Sequence, residues 1–343
     1  MFIKLFFTIF LLLNLNLLPR NVHRPHDPSL GYIKTSWENS DQEYFLRDSH
    51  LREIPIFHTY NHEHFMEKLL PETITCNDET KKITNSELNE LIEKLYSELK
   101  SQKTKFTNFK TLKHRDYNKF NKTGNIILKF NDYPLILKLF IETPESLSKP
   151  FSKAFQARGI FNLGGSFRHL MGFTRIKNLE LIEESIKDHP EWKDKIELPR
   201  KWFWLPKEPT WIEITGYNLG DSAEQHTKIP AVYALVCDLM PGREDDPERI
   251  NYYNDYLRLC THLHYTLDAH TNNFLVKDKK ILLIDTEHFA ILSGNQKKLE
   301  PVTDYTSWYI RVAKKYIKEK FLSDKAHRRF RQANNKTEVG LFS

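Results

Sequence analysis

The rhythm of apolar and polar positions changes three times along this chain. Residues 5–18 form an apolar run broken only by Thr8, Asn14 and Asn16. From about residue 23 to 111 the sequence is polar, with scattered prolines and no long strand pattern. Inside that stretch Leu88, Leu91, Ile92, Leu95, Tyr96 and Leu99 recur at helical spacing, and Thr84 followed by Glu87 makes a capping-box start. The spacing therefore predicts a helix over residues 85–100. Near Tyr117 the period shortens. Three β-rich segments, 117–120, 125–130 and 135–141, are separated by Asn-Lys-Thr-Gly and Asn-Asp-Tyr-Pro turns, which predicts an antiparallel meander.

A mostly helical stretch comes next, with a helix predicted over 179–187 and strands over 202–205, 211–215 and 231–239. A long amphipathic helix is predicted over 247–265. It runs into a polar loop, a strand, a tight Lys/Asp turn and a second apolar strand that ends in Asp285 and Glu287. A last helix is predicted over 304–321, with Trp308, Tyr309, Val312 and Tyr316 as its core face. The basic tail 325–331 reads as a solvated end.

Composition narrows the function. The 343 residues are 40% hydrophobic and carry a formal charge of +6. This describes a globular chain. Lys and Glu are interspersed instead of forming one basic stripe, so no strong nucleic-acid signal exists. Cys76, Cys237 and Cys260 are far apart and odd in number, which argues against a disulfide framework. Lys4, the apolar run and Arg20 resemble a secretory signal. No small-x-small cleavage site follows, so the same segment can be an uncleaved membrane anchor; an exported protein is expected either way. His58, His62 and His64 could bind a metal, but no carboxylate or cysteine spacing supports a standard site, and a solvated loop is the plainer reading.

Chemistry concentrates at residues 267–287. Polar residues that interrupt two apolar strands are not needed for packing, and loops held by rigid elements are where catalytic groups reside. Phosphoryl transfer needs a carboxylate for the acceptor, oxygen ligands for Mg²⁺ and a cation on the nucleotide phosphates. Asp268 can supply the first. Asn273, five residues on, and Asp285, across the hairpin, are hard oxygen ligands of the kind Mg²⁺ takes. Lys138 sits inside the last meander segment, flanked by Ile136, Leu137, Leu139 and Phe140.

The order of these features resembles the protein-kinase-like superfamily: a meander with an embedded lysine, a hinge strand, a long helix, D-x-x-x-x-N, a hairpin and then Asp. His270 gives the D-x-H-x-x-N form of aminoglycoside- and choline-kinase-type members. The likeness spans about two hundred residues. It implies an α+β, two-lobed kinase-like fold with an antiparallel N-lobe, a reduced and mostly helical C-lobe, and a helical N-terminal extension. Asp268 and His270 would be catalytic, Asn273 and Asp285 would hold Mg²⁺, and Lys138 with Gly124 would meet the phosphates of ATP. The strand and hinge at 231–240, with Asp238 and Met240 at its end, would hold adenine. No clear helix glutamate partners Lys138, as the family pattern would have it; Glu180, Glu183 and Glu184 are candidates without a deciding feature.

Implied boundaries are a leader at 1–22, an extension at 23–112, an N-lobe and hinge at 113–240, a reduced C-lobe at 241–330 and a tail at 331–343. The small C-lobe favours a small-molecule or atypical protein acceptor. This sequence departs from the family pattern in three further places. Thr266-Leu267 stand where His-Arg or His-Gly is usual, Thr286-Glu287 follow Asp285, and Gly124 alone remains of the glycine-rich loop. An exported ATP/Mg-dependent phosphotransferase and a catalytically inactive kinase-like binding module are both open. A further stretch, Gly164-Gly165-Ser166-Phe167-Arg168-His169 with Arg175 beyond it, can approach a phosphate or an acidic substrate, or be a loop with solvated arginines.

Overall fold

The computed structural model describes residues 32–45, 56–77, 81–114, 116–148, 166–217, 223–242, 248–264, 266–268 and 270–288. The expected leader, Gly164-Gly165, the helix at 304–321 and the basic tail lie outside them. Among the described residues no helix is long and apolar enough to cross a membrane.

The architecture is α+β, with antiparallel sheets and several packed helices. The first elements are β1 (Tyr32–Trp37), β2 (Glu43–Phe45), α1 (Ile56–Thr59), α2 (His62–Glu67), β3 (Thr73–Thr75), β4 (Lys82–Thr84) and α3 (Asn85–Lys100). The central part holds β5 (Phe109–Lys113), β6 (Tyr117–Asn118), β7 (Thr123–Phe130), β8 (Leu135–Ile141), α4 (Pro144–Ser148), α5 (Ser166–Gly172) and α6 (Thr174–Lys187). Then come β9 (Ile196–Glu197), β10 (Lys201–Trp204), β11 (Trp211–Tyr217), β12 (Gln225–Pro230) and β13 (Val232–Asp238). The described chain closes with α7 (Glu248–Asn251), α8 (Tyr253–His262), β14 (Phe274–Lys277) and β15 (Lys280–Leu283).

The largest sheet runs β10–β13–β8–β7–β5, with β6 pairing the start of β7. Strand alternation sends its residues to two faces. Leu128, Phe130, Leu137, Leu139 and Val236 fill one face and pack with Leu88, Ile92, Leu95 and Leu99 of α3. Phe140, Phe203, Tyr233 and Leu235 fill the other and meet Leu170, Met171, Phe173 and Ile176 around α5 and α6. Helix α3 forms where its spacing predicts it. Thr84 accepts from the Glu87 amide at 3.2 Å, and Glu87 accepts from the Thr84 amide at 2.8 Å.

The other sheets are smaller. Strands β12–β11–β1–β2 make a four-stranded sheet, in which β1 pairs antiparallel with β11, Tyr32 opposite Tyr217. Strands β14–β15–β9 carry the polar loop, and Phe274, Val276, Ile281 and Leu283 bury with Tyr256, Leu259 and Cys260 of α8.

Three expectations change. Strand β5 adds Phe109–Lys113 to the large sheet from a stretch that shows no strand pattern. Helix α6 begins at Thr174, five residues before the predicted start. The helix expected over 247–265 is two helices, because the chain bends at Tyr252 (φ −88°, ψ −1°) and both Tyr252 and Tyr253 pack on the α8 core.

Candidate functional site

Lys138 lies in the middle of the large sheet, opposite Ile127 on β7 and Leu235 on β13. It is 7% exposed. Its ammonium reaches the Ile284 carbonyl at 3.5 Å and the Asp285 carboxylate at 3.8 Å. Burial, then the nearby charge of Arg175, pushes its pKa down, while Asp285 opposes the shift.

The local sequence explains how Asp285 and Asn273 come together. Asp278 and Lys279 adopt φ of 50° and 61°, the left-handed pair of a tight hairpin turn. That turn fixes Phe274 opposite Leu283. One step further, the amides of Ile284 and Asp285 donate to the Asn273 carbonyl at 3.1 and 3.4 Å. The Asn273 side chain and the Tyr256 hydroxyl donate to the Asp268 carbonyl at 3.1 and 2.8 Å. Asp268, Asn273 and Asp285 thus form one constellation with Lys138. Burial raises the Asp268 carboxyl, His270 and the Asn273 amide oppose that, and the charges of Asp285 and Glu287 add to it.

Residues singled out only loosely in the sequence complete the cluster. Arg175, 3% exposed in its side chain, ion-pairs with Asp285 and bonds Glu287 at 2.9 Å. Arg168 on α5 pairs with the other oxygen of Glu287. The Thr286 hydroxyl donates to the Arg175 carbonyl at 2.7 Å and accepts from Lys201 at 2.6 Å. Asn178 donates to the carbonyls of Thr266 and Thr286 at 3.2 and 3.0 Å. Helix α6 therefore clamps both the segment before Asp268 and the segment after Asp285. Burial opposes the Asp285 charge, but Arg175, Lys138, Lys201 and Arg168 hold the carboxyl well below the ordinary range. Burial and the neighbouring Lys138 push Lys201 down to about 7.

Several expected residues stand apart. Glu180 bonds His64 at 3.1 Å and Lys68 at 2.8 Å, and Glu183 and Glu184 are exposed, so Lys138 has Asp285 as its carboxylate. This also accounts for His64. Among the described residues, no group of three or more His, Cys, Asp or Glu could hold a metal. His270 is exposed, and its Nδ1 accepts from the Asn272 amide at 3.1 Å, shaping the turn before Asn273.

The Asp238 carboxylate is taken by Arg200, through two guanidinium bonds of 2.8 Å and an amide bond of 3.0 Å. Met240 is buried with Leu275 and Leu282, beside Ile284. Gly124 has φ +107°, and a Cβ there would lie 2.1 Å from the Asp116 carbonyl, so close backbone approach demands glycine. It pairs with Ile141, three ladder positions from Lys138.

The donor set can be tested against Mg²⁺. An amide oxygen from Asn273 and a carboxylate from Asp285 are right in kind. They are wrong in state, because the Asp285 oxygen that Arg175 holds also accepts the Glu287 amide at 3.2 Å, and Lys138 faces the other oxygen. As arranged, these residues do not fit a resident divalent cation.

No family model, no curated protein and no solved structure matches the chain.

Proposed function

We propose that this chain has a two-lobed, kinase-like fold and binds a nucleoside triphosphate, ATP first among candidates, between the large sheet and the β14–β15 hairpin. The contact of Lys138 with Asp285 at 3.8 Å carries this reading, since it joins the mid-sheet lysine to the carboxylate after the hairpin. A buried lysine beside a half-buried carboxylate is an expensive pair to keep for packing alone. Here Lys138 meets Asp285 beside a polar loop. Ile127 and Ile136, half-buried on the Lys138 face of the sheet, with Met240 at the end of β13, offer apolar walls for the base. Lys138 takes the phosphates.

A second reading, turnover as a phosphotransferase, is favoured by Asp268. Its carboxyl is half-buried while its carbonyl is fixed by Tyr256 and Asn273, so the side chain is held at the cleft with a raised proton affinity. In that role it would accept the proton of an acceptor hydroxyl as the oxygen attacks the terminal phosphorus.

Thermal unfolding of the full chain with and without ATP tests the first reading. Ligand at a hundredfold excess over Kd stabilises by about 2.7 kcal/mol. Lys138→Ala is expected to cut that rise to about half or less at the same ATP concentration. Folded protein that no nucleotide stabilises would overturn the proposal. For the second reading, ADP release should depend on an added acceptor and vanish in Asp268→Asn.

A further inference from the structure

The helix that faces Lys138 carries charge of the opposite sign to the one the kinase resemblance implies. The family pattern has a glutamate there; α6 instead supplies Arg175, and its partners are Asp285 and Glu287. Arg168 from α5 adds a second guanidinium on Glu287. Two carboxylates are thus met by Arg168, Arg175 and Lys138, before any ligand enters. A triphosphate brings several negative charges next to Asp285, and something must neutralise that carboxylate for it to stay. A divalent cation does so where the carboxylate is open. In this chain a buried guanidinium already sits on it, backed by the Thr286 hydroxyl on the Arg175 carbonyl at 2.7 Å.

Guanidinium is also a planar fork suited to phosphate oxygens, and it is less strongly hydrated than an ammonium. We propose that Arg175, assisted by Arg168, takes the charge-neutralising place of a divalent cation, so that the site binds its triphosphate without metal. This rests on the nucleotide reading above. Arg175, buried with its terminal nitrogens on Asp285 and Glu287, screens Asp285 from the phosphates, while Arg168 remains on Glu287. Arg175 is therefore a positioning and charge-neutralising residue that acts through Asp285, and Asp285 need not ligate anything.

Equilibrium dialysis of radiolabelled ATP against the full chain, in EDTA and in Mg²⁺, tests it. The two Kd values are expected to agree within about threefold, a difference well below one charge-assisted hydrogen bond. Arg175→Gln should weaken binding in EDTA by about tenfold or more and make it respond to Mg²⁺, because the strongest cation on Asp285 is then gone. Asp285→Asn should keep or tighten binding in EDTA, whereas a site that relies on a metal at Asp285 would lose it. Should Arg175→Gln not fold, the wild-type pair and Asp285→Asn still decide. Wild-type binding that is more than about tenfold weaker in EDTA than in Mg²⁺ overturns the inference and leaves the nucleotide site standing. No ATP bound in either buffer overturns both.

Discussion

The two faces of the large sheet solve different problems with the same strands. Under α3 the face is entirely apolar, with Leu128, Leu137, Leu139 and Val236 closing on Leu88, Ile92 and Leu95. On the other face, the same β8 that contributes Leu137 and Leu139 outward turns Lys138 inward, and β10 turns Lys201 beside it. Burying apolar groups stabilises by about 1.5–3 kcal/mol for each large side chain. Burying ammonium groups costs several kcal/mol unless partners repay it. Both faces carry apolar cores, and the second also holds Lys138 and Lys201 against residues 285–287.

That contrast can be broken from either side. The largest effect is expected at Leu137→Ala, which leaves a cavity in the closed apolar face and should lower stability by about 2–5 kcal/mol by chemical denaturation. Variants that remain folded should still bind ATP.

Next is a pH effect from Glu142, just beyond the end of β8. Burial pushes its carboxyl up to about 8, against the bond donated by Ser146. The unfolded chain releases that proton near the ordinary value of 4.5, whereas the folded chain keeps it to about 8. The folded state binds more protons across that window, so this group's contribution is full below about 4.5 and is lost as pH rises through about 8. Glu142→Gln should flatten that part of the melting-temperature profile.

Lys138→Met sharpens the comparison. It removes a buried charge while Arg175 still holds Asp285, so unfolding should change by no more than about 1 kcal/mol. ATP affinity should fall by about tenfold or more, since a charge-assisted hydrogen bond to phosphate is lost. The smallest effect is expected at the edge of the apolar side, where Thr84→Ala removes a cap and should cost about 1 kcal/mol without touching nucleotide binding.

These differences also explain what could be read without coordinates. Helix α3 is legible because a cap, a period and a burial stripe are all local and agree. The Asp268–Asn273–Asp285 constellation is legible because a four-residue strand and a tight turn fix its spacing within one hairpin. Strands β1 and β12 are not legible, because each is specified by pairing with β11 and not by its own alternation. Arg175 escapes for a related reason. In sequence it is one of two arginines near paired glycines, and only the approach of α6 to Thr266 and Thr286 turns it toward Asp285. Which carboxylate meets Lys138 is equally hidden in the sequence, since Glu180 finds its cations in α2 and just after it only when the chain is folded.

The pairing of β1 with β11 sets a schedule for the chain as it is made. Tyr32–Trp37 emerges early, yet its partner Trp211–Tyr217 and the central strand Val232–Asp238 follow much later. Contacts between such distant segments carry a loop-closure cost that slows folding. Helix α3 can form on the nascent chain by itself, but the sheet it covers is completed only when β13 arrives. Until then the apolar stripe of α3 and the β11-facing edge of β1 lack their partners, and the interval before residue 238 is made is the one in which pairing with other chains competes with folding.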